Sequence, residues 1–143
     1  QYGLGELEYE RGNIKAAQGW YQKALATWQD PVRKDPVRHI SYALNGLGFV
    51  ALKEKRYEEA HCFFSDGVRS AEEFGRVDEL AKGQLGLASV YLENGTDLKT
   101  ALILVNESIE GFQQQGMQYQ IQKGLTLRDD ILKAETEIPT QPR

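Results

Sequence analysis

At 143 residues, with 41% hydrophobic and 27% charged residues and a formal charge of −4, the chain has the make-up of one soluble globular domain. The acidic balance argues against a nucleic-acid partner, which calls for a basic face, and no apolar run approaches the roughly 18 residues of a membrane-spanning helix. A single cysteine, Cys62, excludes an internal disulfide and fits a reducing compartment.

An opening helix is expected over about residues 1–11, with Leu4 and Leu7 inward, broken at Gly12-Asn13. The second runs over about 14–29. Its inward residues Ile14, Ala17, Tyr21, Ala24, Leu25 and Trp28 recur at three and four, and Asp30-Pro31 stops it. Trp20 is assigned to packing. The small basic group Arg33, Lys34 and Arg38, flanked by Asp30 and Asp35, reads as a solvated loop. Asp35-Pro36 then offers a capping side chain followed by a first-turn proline. The helix it starts carries Ile40, Ala43, Leu44, Leu47, Val50 and Ala51 and ends near Lys53.

After a turn at 54–56, a fourth helix over 57–74 places Tyr57, Ala60, Phe64, Gly67, Val68 and Ala71 inward, and Gly75 ends it. The fifth, from Val77, carries Leu80, Ala81, Leu85, Ala88, Val90 and Leu92 up to Asn94-Gly95. Thr96 or Asp97 caps a sixth, with Leu98, Ala101, Val105, Ile109 and Phe112 inward to about residue 115. The seventh, about 117–135, is made more polar by Arg128, Asp129 and Asp130, and a disordered tail is expected over 136–143.

The helices repeat in pairs. Gly5 precedes Ala17 by 12 residues, Gly48 precedes Ala60 by 12, and Gly86 precedes Ala101 by 15. The longer third spacing predicts a three-residue insertion in the turn at 93–97. The glycines lie 43 and 38 residues apart, the period of a solenoid. The fold class is therefore all-α: a right-handed α-solenoid of about three hairpins (1–30, 36–75, 77–115) plus a C-terminal capping helix at 117–135. Each glycine is read as admitting its own partner helix, Gly48 against Ala60 and Gly86 against Ala101. Leu127 falls where the next glycine would be, as expected of a helix with no partner after it.

Tyr21-Gln22-Lys23-Ala24-Leu25, then Leu47-Gly48 with Tyr57-Glu58-Glu59-Ala60 and Phe64, and more weakly Leu85-Gly86 with Ala101, resemble the tetratricopeptide repeat family over roughly 1–135. The period exceeds the usual 34 or so. It is similar to the longer-helix repeats of kinesin light chains, of the Leu-Gly-Asn polarity adaptors and of bacterial signal-transducing ATPase regulators. Ala71-Glu72-Glu73-Phe74-Gly75, followed by Leu80-Ala81, shares that character. The resemblance implies a concave groove lined by the first helix of each pair. Carried over by register, that groove shows Tyr2, Glu6, Tyr9, Tyr42, Asn45, Phe49, Lys53, Leu80, Gly83, Gln84, Leu87 and Tyr91. A carboxylate-gripping subfamily uses Lys, Asn and Arg where this chain has Tyr2, Glu6, Gly46, Leu80 and Gln84, so chaperone tails are not the expected ligand. Phe49 and Leu87 stand where the Leu-Gly-Asn adaptors place Asn.

The function this implies is a protein–protein interaction module, a scaffold or adaptor of the signalling kind, holding a peptide or helix in the groove. A different class remains open: an intramolecular regulatory or sensor arm of a multidomain signalling ATPase or transcription regulator. A third is self-association through Tyr2, Leu4 and Trp20. The first apolar face is already under way at Tyr2, and nothing reads as a signal peptide. The segment is therefore expected to belong to a longer cytoplasmic protein. No metal or other cofactor is expected, since His61 and Cys62 are adjacent and point about 100° apart on a helix, while His39 has no ligand partner at helical spacing. No catalytic Ser-His-acid set or phosphate loop is present in the sequence, so no enzyme activity is expected.

Overall fold

The computed structural model describes residues 4–28 and 39–137. Left-handed backbone punctuates the chain at Gly12, Lys55, Gly75, Gly95 and Gly116, with φ between 60° and 83°. Between these points lie seven helices: α1 (Leu4–Glu10), α2 (Ile14–Trp28), α3 (Ile40–Lys53), α4 (Tyr57–Glu73), α5 (Val77–Asn94), α6 (Leu98–Gln114) and α7 (Gln118–Glu137). Among the described residues there is no strand. The chain is an all-α solenoid, in which each helix packs on the next.

Every described turn closes the same way. The left-handed residue donates its N–H three residues back, and the next residue donates five back; Lys55 bonds to Leu52 at 3.0 Å and Arg56 to Ala51 at 2.8 Å. In four turns that second residue also opens the following helix. The carbonyls of Asn13, Arg56, Arg76 and Met117 accept from Ala17, Ala60, Leu80 and Ile121. At Gly95 the two jobs are split: Thr96 donates back to Tyr91, while Asp97 accepts from Ala101. The insertion is therefore one residue, not three. Helix α3 matches α5 at an offset of 40, and α4 matches α6 at 41.

That offset corrects the pairing of the glycines. A Cβ on Gly48 would meet the Phe64 ring at 2.6 Å, and one on Gly86 would meet the same ring. Phe64 of α4 is thus a wedge between α3 and α5: Gly48 admits its own partner helix, by Phe64, whereas Gly86 admits α4 and not α6. Ala60 belongs to the same cluster as Phe64. Tyr21 of α2 is the equivalent wedge, with Gly5 of α1 on one side and Gly46 of α3 on the other. The counterpart of Gly86 is Gly46, and the counterpart of Gly48 is Ala88.

The third wedge position holds Val105, fully buried in a cluster with Ala88. A smaller wedge leaves room for Cβ atoms, so Ala88 and Leu127 stand where the second wedge needs glycine. Leu127 packs on that same cluster. Its presence reflects the size of Val105, not the lack of a following helix.

Other expectations shift at the ends. Helix α7 continues through Thr136, whose Oγ1 donates to the Lys133 carbonyl at 2.8 Å, so the tail does not begin at 136. The Asp30-Pro31 stop, the Arg33, Lys34 and Arg38 group, the Asp35-Pro36 start, Tyr2, the side chains of Leu4 and Trp28, and the tail from 138 onward lie outside the described residues. Helices α1, α3, α5 and α7 touch in series along the inner side, and α2, α4 and α6 back them.

Candidate functional site

The four inner helices turn one face each toward a shared cavity of about 90 Å³, lined by side chains of α1, α3, α5 and α7 and by Tyr21. Its apolar wall is aromatic. Tyr42 meets Tyr21 edge-on with ring centres 5.7 Å apart, and Phe49 lies between Tyr9 at 6.3 Å and Phe64 at 4.8 Å. Leu85 completes that wall. Burial raises the Tyr9 hydroxyl above its ordinary pKa, with Glu10 and Glu93 adding to the effect. Burial does the same to Tyr21, followed by Tyr42 and Glu6.

The floor is polar. Asn45 donates to the backbone carbonyl of Glu79 at 2.8 Å and to its carboxylate at 3.2 Å. Both residues are almost fully buried. The Asn45 Oδ1 has no donor among the described residues. It lodges where a Cβ on Gly67 would collide with it and one on Gly83 would crowd it. Lys82 lies 3.4 Å from the Glu79 carboxylate and 4.0 Å from Glu6. Burial pushes the Glu79 carboxyl above its ordinary range and outweighs Lys82 and the Asn45 hydrogen bond, which pull the other way. For Lys82, burial disfavours the charge, but Glu79 and Glu6 overcome it and hold the ammonium above its usual range. At the mouth, Lys123 of α7 is 3.4 Å from Glu10 of α1.

Of the residues the sequence nominates, Tyr9, Tyr42, Asn45, Phe49 and also Glu6 line the cavity. Lys53 is exposed at the end of α3, one turn beyond Phe49 on the same face. The α5 nominees lie elsewhere. Leu80 and Gln84 line a cleft against α6, where Gln84 donates to Glu107 at 2.9 Å. Leu87 is buried in the core with Phe64 and Val90. Tyr91 faces α4, with its hydroxyl 3.1 Å from His61 Nε2. Matching Gly86 to Gly48 instead of Gly46 turns α5 by two residues, about 200° around the helix.

At the correct offset of 40, Tyr42 corresponds to Lys82 and Asn45 to Leu85, both of which line the cavity. A further 41 takes Lys82 to Lys123, which lines it too. Glu79, Lys82, Leu85 and Lys123 are among the cavity residues that the sequence does not nominate. The usable signal was the pair Gly46 and Gly86. Among the described residues no three metal-ligating side chains converge, and no helix is long and apolar enough to cross a membrane.

Paired antiparallel helices, wedged at small residues and curled around an inner face, define a helical-repeat protein. The fold is similar to that of BtubC (BKLC) from P. vanneervenii, also a helical-repeat protein, with a TM-score of 0.64 and 16% sequence identity. The match covers 98% of this chain and 63% of that one, so this chain spans somewhat under two thirds of BtubC. Against models of known families and against curated proteins, the sequence gives no match.

Proposed function

We propose that this chain is a protein-interaction module of the tetratricopeptide type, which binds a peptide or helix on its concave face without performing chemistry. The observation that carries this reading is the convergence of four inner helices on one aromatic wall with a few fixed polar groups. That composition suits recognition of a partner's side chains. The charged groups there are committed to one another, Glu79 to Asn45 and Lys82, and Glu10 to Lys123. They set orientation and charge and are not poised to transfer protons. A cytoplasmic scaffold or signalling adaptor is the setting this reading fits.

A peptide array or pull-down tests it with three variants: Phe49→Ala on the aromatic wall, Lys53→Glu one turn beyond it on the same face of α3, and Ile103→Ala on exposed α6 surface. The expected result is a partner lost with Phe49→Ala and weakened by Lys53→Glu, while Ile103→Ala binds as the wild type. Circular dichroism confirms that each variant is folded. A partner that ignores the first two changes and depends on Ile103 would move the binding surface off the concave face.

A further inference from the structure

We infer that α1 is an ionic strap across the mouth of the concave cavity, and that screening its charges opens the mouth. Two ion pairs reach from α1 to the far repeats. Glu6 lies 4.0 Å from Lys82 of α5, and Glu10 lies 3.4 Å from Lys123 of α7. The second joins residues 113 apart in sequence and brings the first and last described helices together.

Among the described residues nothing apolar seals that junction. Leu7 and Tyr119 line a shallow cleft between α1 and α7 together with Glu6, Glu10 and Gln120. Yet they stay 45% and 62% exposed, so the two helices share no packed seam. Lys123 spends part of its face on the Tyr119 ring, 4.5 Å away, and stays half-exposed. The other joints of the solenoid bury wedges such as Phe64 and Tyr21. This one alone, among the described residues, holds by exposed charge. Its helix is only seven residues long, below the length at which a helix stands by itself.

The rest of the inner face explains why opening matters. Glu6, Tyr9 and Glu10 of α1 form one wall of the cavity, facing Tyr42, Phe49 and Lys82. Outward movement of α1 widens the approach to those three side chains. The Glu10–Lys123 pair, with both side chains partly exposed, is screened once the Debye length falls from about 10 Å at 0.1 M salt to about 3 Å at 1 M, while Lys82, only 17% exposed, is screened less. Removing one pair shifts the closed-to-open ratio by up to about fivefold.

This inference rests on the concave-face reading for its consequence, but its test needs no partner, so the two can fail separately. Spin labels at Arg11→Cys and Gln122→Cys, in a Cys62→Ser background, report the distance across the mouth by pulsed electron spin resonance. The expected result is one short distance at low salt, with a longer population at high salt and in Glu10→Lys. The double change Glu10→Lys with Lys123→Glu should restore the short distance. Identical distributions under all these conditions would overturn the strap. So would an opening in Glu10→Lys that the double change leaves in place. Should Glu10→Lys fold poorly, the salt series alone still decides.

Discussion

Asn45 ties α3 to α5 by gripping Glu79 twice, through the backbone carbonyl at 2.8 Å and the carboxylate at 3.2 Å. The grip is selective for an amide, since the carbonyl of Glu79 needs a donor and the carboxylate needs another from the same nitrogen. Asn45→Ala leaves a buried carboxylate with Lys82 as its main partner. Hydrogen bonds to charged groups contribute about 1.5–3 kcal/mol, and a loss of that size is the expected outcome. Urea unfolding of the two proteins measures it. A loss near zero would mean that the Glu79 carboxylate is hydrated in solution.

The same carboxylate sets a pH dependence. Burial, the largest influence, raises the folded pKa of Glu79 above its unfolded value. The folded chain then holds this proton more readily than the unfolded chain. Stability linked to Glu79 is fully present below the unfolded value, near 4.5, and is lost as pH rises through the folded value. The raised pKa of Lys82 acts in a different window, with its contribution lost only above about 10.5. Glu79→Gln removes the carboxyl titration and keeps an acceptor for Asn45. Its urea midpoint should gain on the wild type as pH rises toward neutrality, with the gap closing on acidification. A gap of constant size across that window would refute the assignment.

Phe64 makes the strictest demand on its neighbours. A Cβ at Gly86 would enter its ring, as would one at Gly48. Gly86→Ala gains about 1 kcal/mol of helix propensity but overpacks a full core, which typically costs about 1–3 kcal/mol. A net loss is expected. Shrinking the wedge in the double variant Gly86→Ala with Phe64→Leu should recover part of it, because the two changes share one contact and are not additive. A thermodynamic cycle of the four proteins shows whether the coupling is there.

The size of the wedge also explains what the sequence reveals and what it hides. Apolar spacing at three and four places the helices, because Phe64, Val105, Phe112 and their neighbours each face inward on one stripe. The repeat is equally plain, since small residues must recur wherever helices cross. Register between repeats is harder. Gly46 and Gly48 are two apart and admit different wedges, Tyr21 from one side and Phe64 from the other. In α5 only one glycine of that pair remains, because Val105 needs no second. Nothing in the string Leu85-Gly86-Leu87 says which one survived. Choosing the wrong one moved the inner face of α5 from Lys82 and Leu85 to Leu80, Gln84, Leu87 and Tyr91. The Glu79–Lys82 pair was hidden for a further reason: Glu79 and Lys82 on a helix look like an ordinary solvated i,i+3 pair, and only the stacking of α3 on α5 buries them.

The extra residue in the turn at Gly95 leaves its mark on Asp97. Its φ of 49° is left-handed, and its side chain accepts from the Thr100 N–H at 3.3 Å. Asp97→Ala removes the cap, which costs about 0.5–2 kcal/mol, and keeps the strained backbone. Asp97→Gly removes the cap and relieves the strain. Thermal melts should place Asp97→Ala lowest, with Asp97→Gly clearly above it. Equal loss in the two variants would show that the backbone strain counts for nothing.

Lys55 offers the opposite change. It holds φ at 60° in a turn whose counterparts carry Gly12, Gly75 and Gly116. A left-handed residue other than glycine costs about 1–2 kcal/mol, while glycine gives back part of this by freeing the unfolded chain, about 0.4–1 kcal/mol. The turn keeps its hydrogen bonds from Lys55 to Leu52 and from Arg56 to Ala51 after substitution, because both use backbone atoms. The neighbouring Arg56, which pairs with Glu54 and Glu59, is left untouched. Lys55→Gly should therefore stabilise the chain by up to about 1 kcal/mol, read as a later urea midpoint at unchanged slope. A destabilised variant would mean that the lysine side chain itself contributes to holding α3 against α4.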